Sequence, residues 1–303
     1  MAAWSENYWL SSDGLRLHFR DYPGDLSRPP IVCIPGLTRN ARDFEGVAQR
    51  LAGRRRILCV DLRGRGASEH AKDPMTYAPA RYADDVEDLL REQRIERAIF
   101  FGTSLGGIVT MLLAQRDNSR IVGALINDIG PVLEARGLDK IRGYVGRSQN
   151  WPTWLHAARA IADAQRDRYP DWKLEDWIAY AKRLCRLTAN GRVVFDYDMR
   201  IAEPFKVPGG EAGFNLWDAW RGLSGVPTLL LRGALSDLLS AETERRMKEE
   251  VPTLETVLVP RVGHAPTLDE PVAAEAIERF LERLDGEAPR PPEPSAPRPI
   301  GEG

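Results

Sequence analysis

Six short apolar runs constrain this chain more than any other feature: residues 31–34, 57–60, 98–101, 121–126, 228–231 and 256–259. A strand with one wet face alternates apolar and polar residues, whereas an unbroken run suits a strand covered on both faces, as in a parallel sheet. Helical patterns lie between the runs. Tyr82, Val86, Leu89, Leu90 and Gln93 share one face over about 79–94, and Ala273, Ala276, Ile277, Phe280, Leu281 and Leu284 share another near the C-terminus. Strand–helix alternation of this kind predicts βαβ crossovers, and hence an α/β fold: an open, mostly parallel sheet with helices on both faces. Near the N-terminus Leu15, Leu17 and Phe19 alternate with Arg16, His18 and Arg20. That pattern predicts a half-exposed strand in a hairpin with an earlier one, with His18 on its solvated face.

One stretch breaks the rhythm. Residues 134–220 carry helical pattern without a convincing strand and hold six of the eight tryptophans: Trp151, Trp154, Trp172, Trp177, Trp217 and Trp220. They are expected to form a helical cap inserted between two core strands, leaving 1–133 and 221–286 as the core. Residues 287–303 contain six prolines and almost no large apolar side chain, so they are expected to be a disordered tail.

Charge narrows the function classes. The 42 basic and 44 acidic residues give a net charge of -2, which offers no electrostatic footprint for nucleic acid or an anionic membrane. No apolar run approaches the ~20 residues that span a bilayer, and the first residues lack the pattern of a signal peptide. Cys33, Cys59 and Cys185 are odd in number and show no ligand spacing, so neither a disulfide framework nor a zinc site is expected. These features predict a cytoplasmic protein whose partner is a small-molecule substrate, with no metal and no organic cofactor; the oligomeric state is left open.

The sharpest motif is Gly102-Thr103-Ser104-Leu105-Gly106, which follows the apolar run 98–101 and opens a helical pattern. A G-x-S-x-G between strand and helix is the signature of a nucleophile elbow. The turn is so tight that side chains at Gly102 and Gly106 would collide across it. The serine hydroxyl is thereby held at a helix N-terminus, where the dipole favours negative charge.

Such a hydroxyl needs a base, and the base needs an acid to orient it. Of four histidines, His70 falls in a polar loop and His156 in the insertion. His264 stands in Gly263-His264-Ala265-Pro266, between the last apolar run and the last helix, at the edge where a parallel sheet keeps its chemistry. Asp237 follows the run 228–231 and is the favoured acid, giving the order Ser104, Asp237, His264. Asp128, after the run 121–126, is the alternative.

With these residues in view, the chain resembles α/β-hydrolase-fold serine hydrolases of the esterase and lipase type over about residues 1–285. Ile34-Pro35-Gly36-Leu37 lies where that family usually carries His-Gly-x, and Asp61-Leu62-Arg63-Gly64-Arg65-Gly66-Ala67-Ser68 matches its D-x-R-G-x-G-x-S loop. The resemblance implies a mostly parallel eight-stranded sheet flanked by helices, with the cap after strand six. It also implies an oxyanion hole from the backbone N–H groups of Leu37 and Leu105. Pro35 departs from the family pattern and puts the support of that loop in question. Ser104 disfavours the haloalkane dehalogenases and epoxide hydrolases of this fold, which carry aspartate at the elbow.

These features predict hydrolysis of a small or medium, largely apolar carboxylic ester or lactone beneath the cap, most of whose tryptophans are expected to hold it together and anchor it to the core, with about two of the six lining the cavity. Arg39 and Asn40 lie close enough to the oxyanion loop to touch substrate, and Asn40 is equally placed to cap the helix containing Phe44 and Val47. Two alternatives share the same triad. A carbon–carbon bond hydrolase of ring-cleavage products would need cap arginines, with Arg136, Arg159 and Arg183 as candidates, to converge on the cavity. A small-molecule receptor would bind without turnover.

Overall fold

The computed structural model describes residues 3–206 and 216–286. Its central sheet has eight strands: β1 (Ser5–Leu10), β2 (Arg16–Tyr22), β3 (Ile31–Ile34), β4 (Ile57–Asp61), β5 (Ala98–Thr103), β6 (Ile121–Asn127), β10 (Thr228–Gly233) and β11 (Leu254–Val259). Three short strands between β6 and β10, namely β7 (Asn150–Trp151), β8 (Cys185–Leu187) and β9 (Val193–Phe195), form a separate sheet. The large sheet runs in the order β1-β2-β4-β3-β5-β6-β10-β11. β1 and β2 form an antiparallel hairpin, β2 pairs antiparallel with β4, and every pairing from β4 to β11 is parallel.

Burial explains the apolar runs. Every residue of β3 and β4 is buried, and so are the first five of β5, because helices cover both faces of the sheet. Two apolar cores result, one on each face. Phe19, Val32, Phe100 and Ile126 belong to one, and Cys33, Phe101, Leu125 and Phe280 to the other. The 79–94 pattern becomes the helix Pro79–Glu92, which buries Tyr82, Val86, Leu89 and Leu90.

His18 is a correction. It points inward, 3% exposed, with Nδ1 2.7 Å from Asp61 Oδ2. The strand is half-polar in sequence, yet its inner face carries a histidine hydrogen-bonded to Asp61 beneath Tyr8, whose ring centroid lies 5.2 Å from that of His18.

The segment expected to be the cap divides in two. Residues 134–206 leave the sheet after β6 and form an inserted segment of the helices Ala135–Tyr144, Trp154–Gln165 and Leu174–Leu184 and the small antiparallel sheet β7-β9-β8, the part of the expected cap that stands apart from the large sheet. The strands went unseen because two or three residues are too few for periodicity to register. The helix Leu216–Arg221 belongs instead with the core, packed on the helix Leu105–Arg116. Its Trp220 is fully buried and donates Nε1–H to the Met247 carbonyl at 3.0 Å. The expected disordered tail, 287–303, lies outside the described residues.

Candidate active site

Ser104 ends β5 and starts the helix Leu105–Arg116 with φ 52° and ψ −116°, a left-handed backbone that a non-glycine residue adopts at a cost of about 1–3 kcal/mol. The glycines make that turn possible. A Cβ at Gly102 would fall on the Gly106 carbonyl, and one at Gly106 on the Ile34 carbonyl of β3. The elbow is pinned from β6, whose Asn127 carbonyl accepts the Ser104 N–H at 3.0 Å.

His264 Nε2 lies 2.9 Å from Ser104 Oγ, and its Nδ1 lies 2.8 Å from Asp128 Oδ2. The carboxylate can only accept, so Nδ1 carries the proton and Nε2 is free to accept from the serine hydroxyl. Asp128 is wholly buried. Besides the imidazole, its Oδ1 accepts the Gly233 N–H at 2.8 Å and its Oδ2 accepts the Ser236 hydroxyl at 2.7 Å. These three donors offset the desolvation of a buried carboxylate.

The favoured acid of the sequence, Asp237, is therefore not the residue against the imidazole. Its Oδ2 pairs with Lys140 of the cap at 2.6 Å. β6 and β10 are neighbours, with Asn127 paired to Leu231, so a loop after either strand can reach the same place. Asp128 follows β6 directly, whereas the turn after β10 spends Gly233 and Ser236 on hydrogen bonds to Asp128 and carries Asp237 beyond it to the cap.

Sequence reasoning missed the groups that brace the histidine. Asn127, fully buried, donates Nδ2–H to Thr103 Oγ1 at 3.1 Å and to the Pro266 carbonyl at 2.8 Å, tying the elbow to the histidine loop. The cap grips that loop on both sides: Gly263 N–H donates to the Arg168 carbonyl, and Tyr169 Oη–H to the Ala265 carbonyl, each at 2.7 Å. No spacing rule marks such contacts, because their partners lie about a hundred residues apart.

Leu37 and Leu105 flank Ser104. Leu105 is the first residue of its helix, and no helical carbonyl reaches its N–H. Gly36 lies beside the nucleophile, since a Cβ there would stand in ordinary contact, 3.6 Å, with Ser104 Cβ. Arg65 answers the question raised by Pro35. Its guanidinium is fully buried, and Nε donates to the Leu37 carbonyl at 2.9 Å while Nη1 holds the Arg63 carbonyl and Tyr82 Oη. The D-x-R-G-x-G-x-S loop thus anchors the peptide that follows Leu37, one residue beyond the Leu37 N–H.

A cavity of about 370 Å³ opens on Ser104 and His264, lined by Gly36, Leu37 and the cap. Among the described residues no tryptophan lines it; Tyr144, Tyr169, Tyr180 and Tyr197 do. Trp172 and Trp177 pack with Tyr169 and Tyr180 behind that wall, and Trp151 packs edge-on to Phe195. Arg39 lines the cavity, held by Asp43 at 2.5 Å and by Tyr180 Oη at 2.6 Å. Asn40 does not. It is buried, caps the turn Ala41–Phe44 through Arg42 N–H, and donates to the Arg183 carbonyl at 3.0 Å. Of the three cap arginines named from sequence, Arg183 lines the cavity, and Arg136 and Arg159 do not. No group of three or more His, Cys, Asp or Glu among the described residues could hold a metal ion.

Residues 31–277 match the model of the alpha/beta hydrolase family, so the chain belongs to that family. It is 33% identical over 282 residues to a 3-hydroxybutyrate-oligomer hydrolase of Cupriavidus necator, a match covering 90% of this chain and 95% of the relative. It is 26% identical over 261 residues to a 2-(acetamidomethylene)succinate hydrolase of Mesorhizobium japonicum, covering 84% and 89%. Among solved structures, an alpha/beta hydrolase of Novosphingobium aromaticivorans superposes with a TM-score of 0.90 at 55% identity, covering 93% of this chain and 99% of that one. No helix among the described residues is long and apolar enough to cross a membrane.

Proposed function

We propose that the chain is a serine hydrolase that cleaves a small carboxylic ester or lactone through an acyl-enzyme on Ser104. The observation that carries this reading is the unbroken relay from Ser104 Oγ through His264 to buried Asp128, opening on a cavity large enough for a small substrate. Ser104 Oγ attacks the carbonyl carbon as His264 Nε2 takes its proton. Asp128 holds the imidazole in the tautomer that can do so and stabilises the imidazolium. The developing oxyanion is received by the N–H groups of Leu37 and Leu105. His264 returns the proton to the leaving alkoxide, and water, deprotonated by the same imidazole, then releases the acid and regenerates Ser104.

The wall keeps apolar side chains, among them Ile141, Ile161, Leu184, Phe195 and Leu268, and adds tyrosines and basic residues in place of indoles, which supports a substrate with both an apolar and a polar part. At about 370 Å³ the cavity is at the small end of ligand sites, which favours short acyl groups. The similarity to a hydrolase of 3-hydroxybutyrate oligomers agrees with a short, oxygen-rich substrate. Three free, buried cysteines suit a reducing compartment, and we place the protein in the cytoplasm with a small-molecule substrate as its partner.

A panel of p-nitrophenyl esters from C2 to C12, with lactones, tests the reading beside Ser104→Ala and a fluorophosphonate label. Short esters are expected to turn over, the label to sit on Ser104, and Ser104→Ala to lose both. Full activity in Ser104→Ala would refute the assignment. Turnover of a ring-fission dienone with inert esters would favour carbon–carbon cleavage, and stoichiometric binding without turnover would favour a receptor.

A further inference from the structure

Five basic side chains line the cavity at Ser104, namely Arg39, Lys140, Arg147, Arg168 and Arg183, against two acidic ones, Asp43 and Asp167. Three of the five are already matched. Arg39 is bound by Asp43 through Nε and Nη2 and by Tyr180 Oη through Nη1, Lys140 sits between Asp167 at 2.8 Å and Asp237 at 2.6 Å, and Arg183 lies 3.7 Å from Asp269. Arg147 is exposed to solvent. Arg168 is different: its Nε is buried and finds no hydrogen-bond partner, and no carboxylate pairs with its guanidinium among the described residues.

A buried charged donor without an acceptor is costly, and native structures retain few of them. The cost is removed when a ligand supplies the acceptor. The guanidinium fork is shaped for the two oxygens of a carboxylate. A single unmatched fork suits a monoanion; a phosphate dianion asks for a second, and Arg39 and Arg183 are occupied. Arg168 is also fixed with respect to the reacting groups. Its carbonyl takes the Gly263 N–H, next to His264, and a Cβ on Gly263 would stand 3.0 Å from the Arg168 Cα. Arg168 and Ser104 line one cavity, so a carboxylate on Arg168 belongs to a substrate whose ester carbonyl reaches Ser104 from the same cavity.

We infer that Arg168 is a specificity-determining residue that binds a free carboxylate on the substrate, so that the site selects anionic esters over neutral ones of the same shape. The inference rests on the ester-hydrolase reading and names the substrate class of that site. The test uses 3-acetoxybutanoate and 3-acetoxybutanamide, which differ in charge and hardly in shape, with acetate release as the readout for both. A charge-assisted hydrogen bond lost from the complex corresponds to a discrimination of about 10- to 100-fold in kcat/KM. Wild type is expected to prefer the acid by that factor, Arg168→Met to bring the ratio close to one, and Arg168→Lys, which keeps the charge without the fork, to fall between. Taking the ratio within one variant removes any general loss through His264 or through folding.

A wild-type ratio near one, or a ratio that survives Arg168→Met, overturns the inference. Fluorophosphonate labelling separates the two levels of the argument. Labelled enzyme that hydrolyses the amide-bearing ester without preferring the acid refutes the subsite alone. Unlabelled enzyme that hydrolyses neither ester refutes the ester-hydrolase reading together with the subsite.

Discussion

Exchanging the two aspartates that compete in the sequence gives the most discriminating experiment on the proposed relay. In Asp128→Asn the side-chain oxygen must remain on the Oδ1 side, because the Gly233 N–H still needs an acceptor there. The amide nitrogen then takes the Oδ2 side and points donors at Ser236 Oγ and His264 Nδ1. The serine hydroxyl can turn to accept, but the imidazole can accept only by losing its Nδ1 proton. Nε2 would then carry the proton and face Ser104 as a donor, which is the wrong tautomer for a base. Asp128 is fully buried, so water does not replace the lost charge beside a developing imidazolium. Loss of the acid in such a relay costs on the order of 10⁴ in kcat, equivalent to about 5.5 kcal/mol at 1.36 kcal/mol per decade. Asp237→Asn removes only one of the two carboxylates on Lys140 and should keep kcat within about threefold, since ion pairs near the surface are worth ~0.2–1 kcal/mol. The assay is kcat and KM on p-nitrophenyl butyrate near pH 8, with melting temperatures to confirm folding. A loss of a hundredfold or more in Asp237→Asn, with Asp128→Asn within tenfold of wild type, would refute the reasoning.

Arg65→Met should loosen the loop that carries the Leu37 N–H by freeing the peptide after it, and lower kcat by up to about 10²–10³ with a much smaller change in KM, as for a displaced oxyanion donor; a purely thermal loss with normal kcat would count against it. Lys140→Met tests the bridge between cap and core. The hydrogen bond from Lys140 holds the Asp167 carboxyl below its ordinary 3.8, and the Asp167 and Asp237 carboxylates hold the ammonium above its ordinary 10.5. A depressed acid stabilises the fold above its unfolded pKa, and a raised base stabilises it below its own. The variant should therefore melt lower than wild type between about pH 4 and 10, and the gap should close only as pH falls through the lowered Asp167 value or rises through the raised Lys140 value. A gap that does not narrow as pH falls from 4 through the lowered Asp167 value would exclude the ion pairs as its cause.

The sheet was legible because burial on both faces leaves unbroken apolar runs, and a run of four to seven residues is read locally. Ser104 and His264 were legible for a related reason: a tight turn demands glycines at fixed spacing, and a loop at the end of the last strand has few places to go. Position along the chain carried that much and no more. Asp128 and Asp237 stand at the ends of adjacent parallel strands, chemically identical candidates separated only by how one turn folds. Three-dimensional contact chose between them, when Gly233 and Ser236 turned their donors onto Asp128 and Lys140 drew Asp237 to the cap. The same holds for the unmatched guanidinium of Arg168 and for the tyrosine wall that replaced the expected tryptophans. Periodicity and spacing are properties of neighbours in sequence, whereas whether a charge is paired or left waiting depends on neighbours in space.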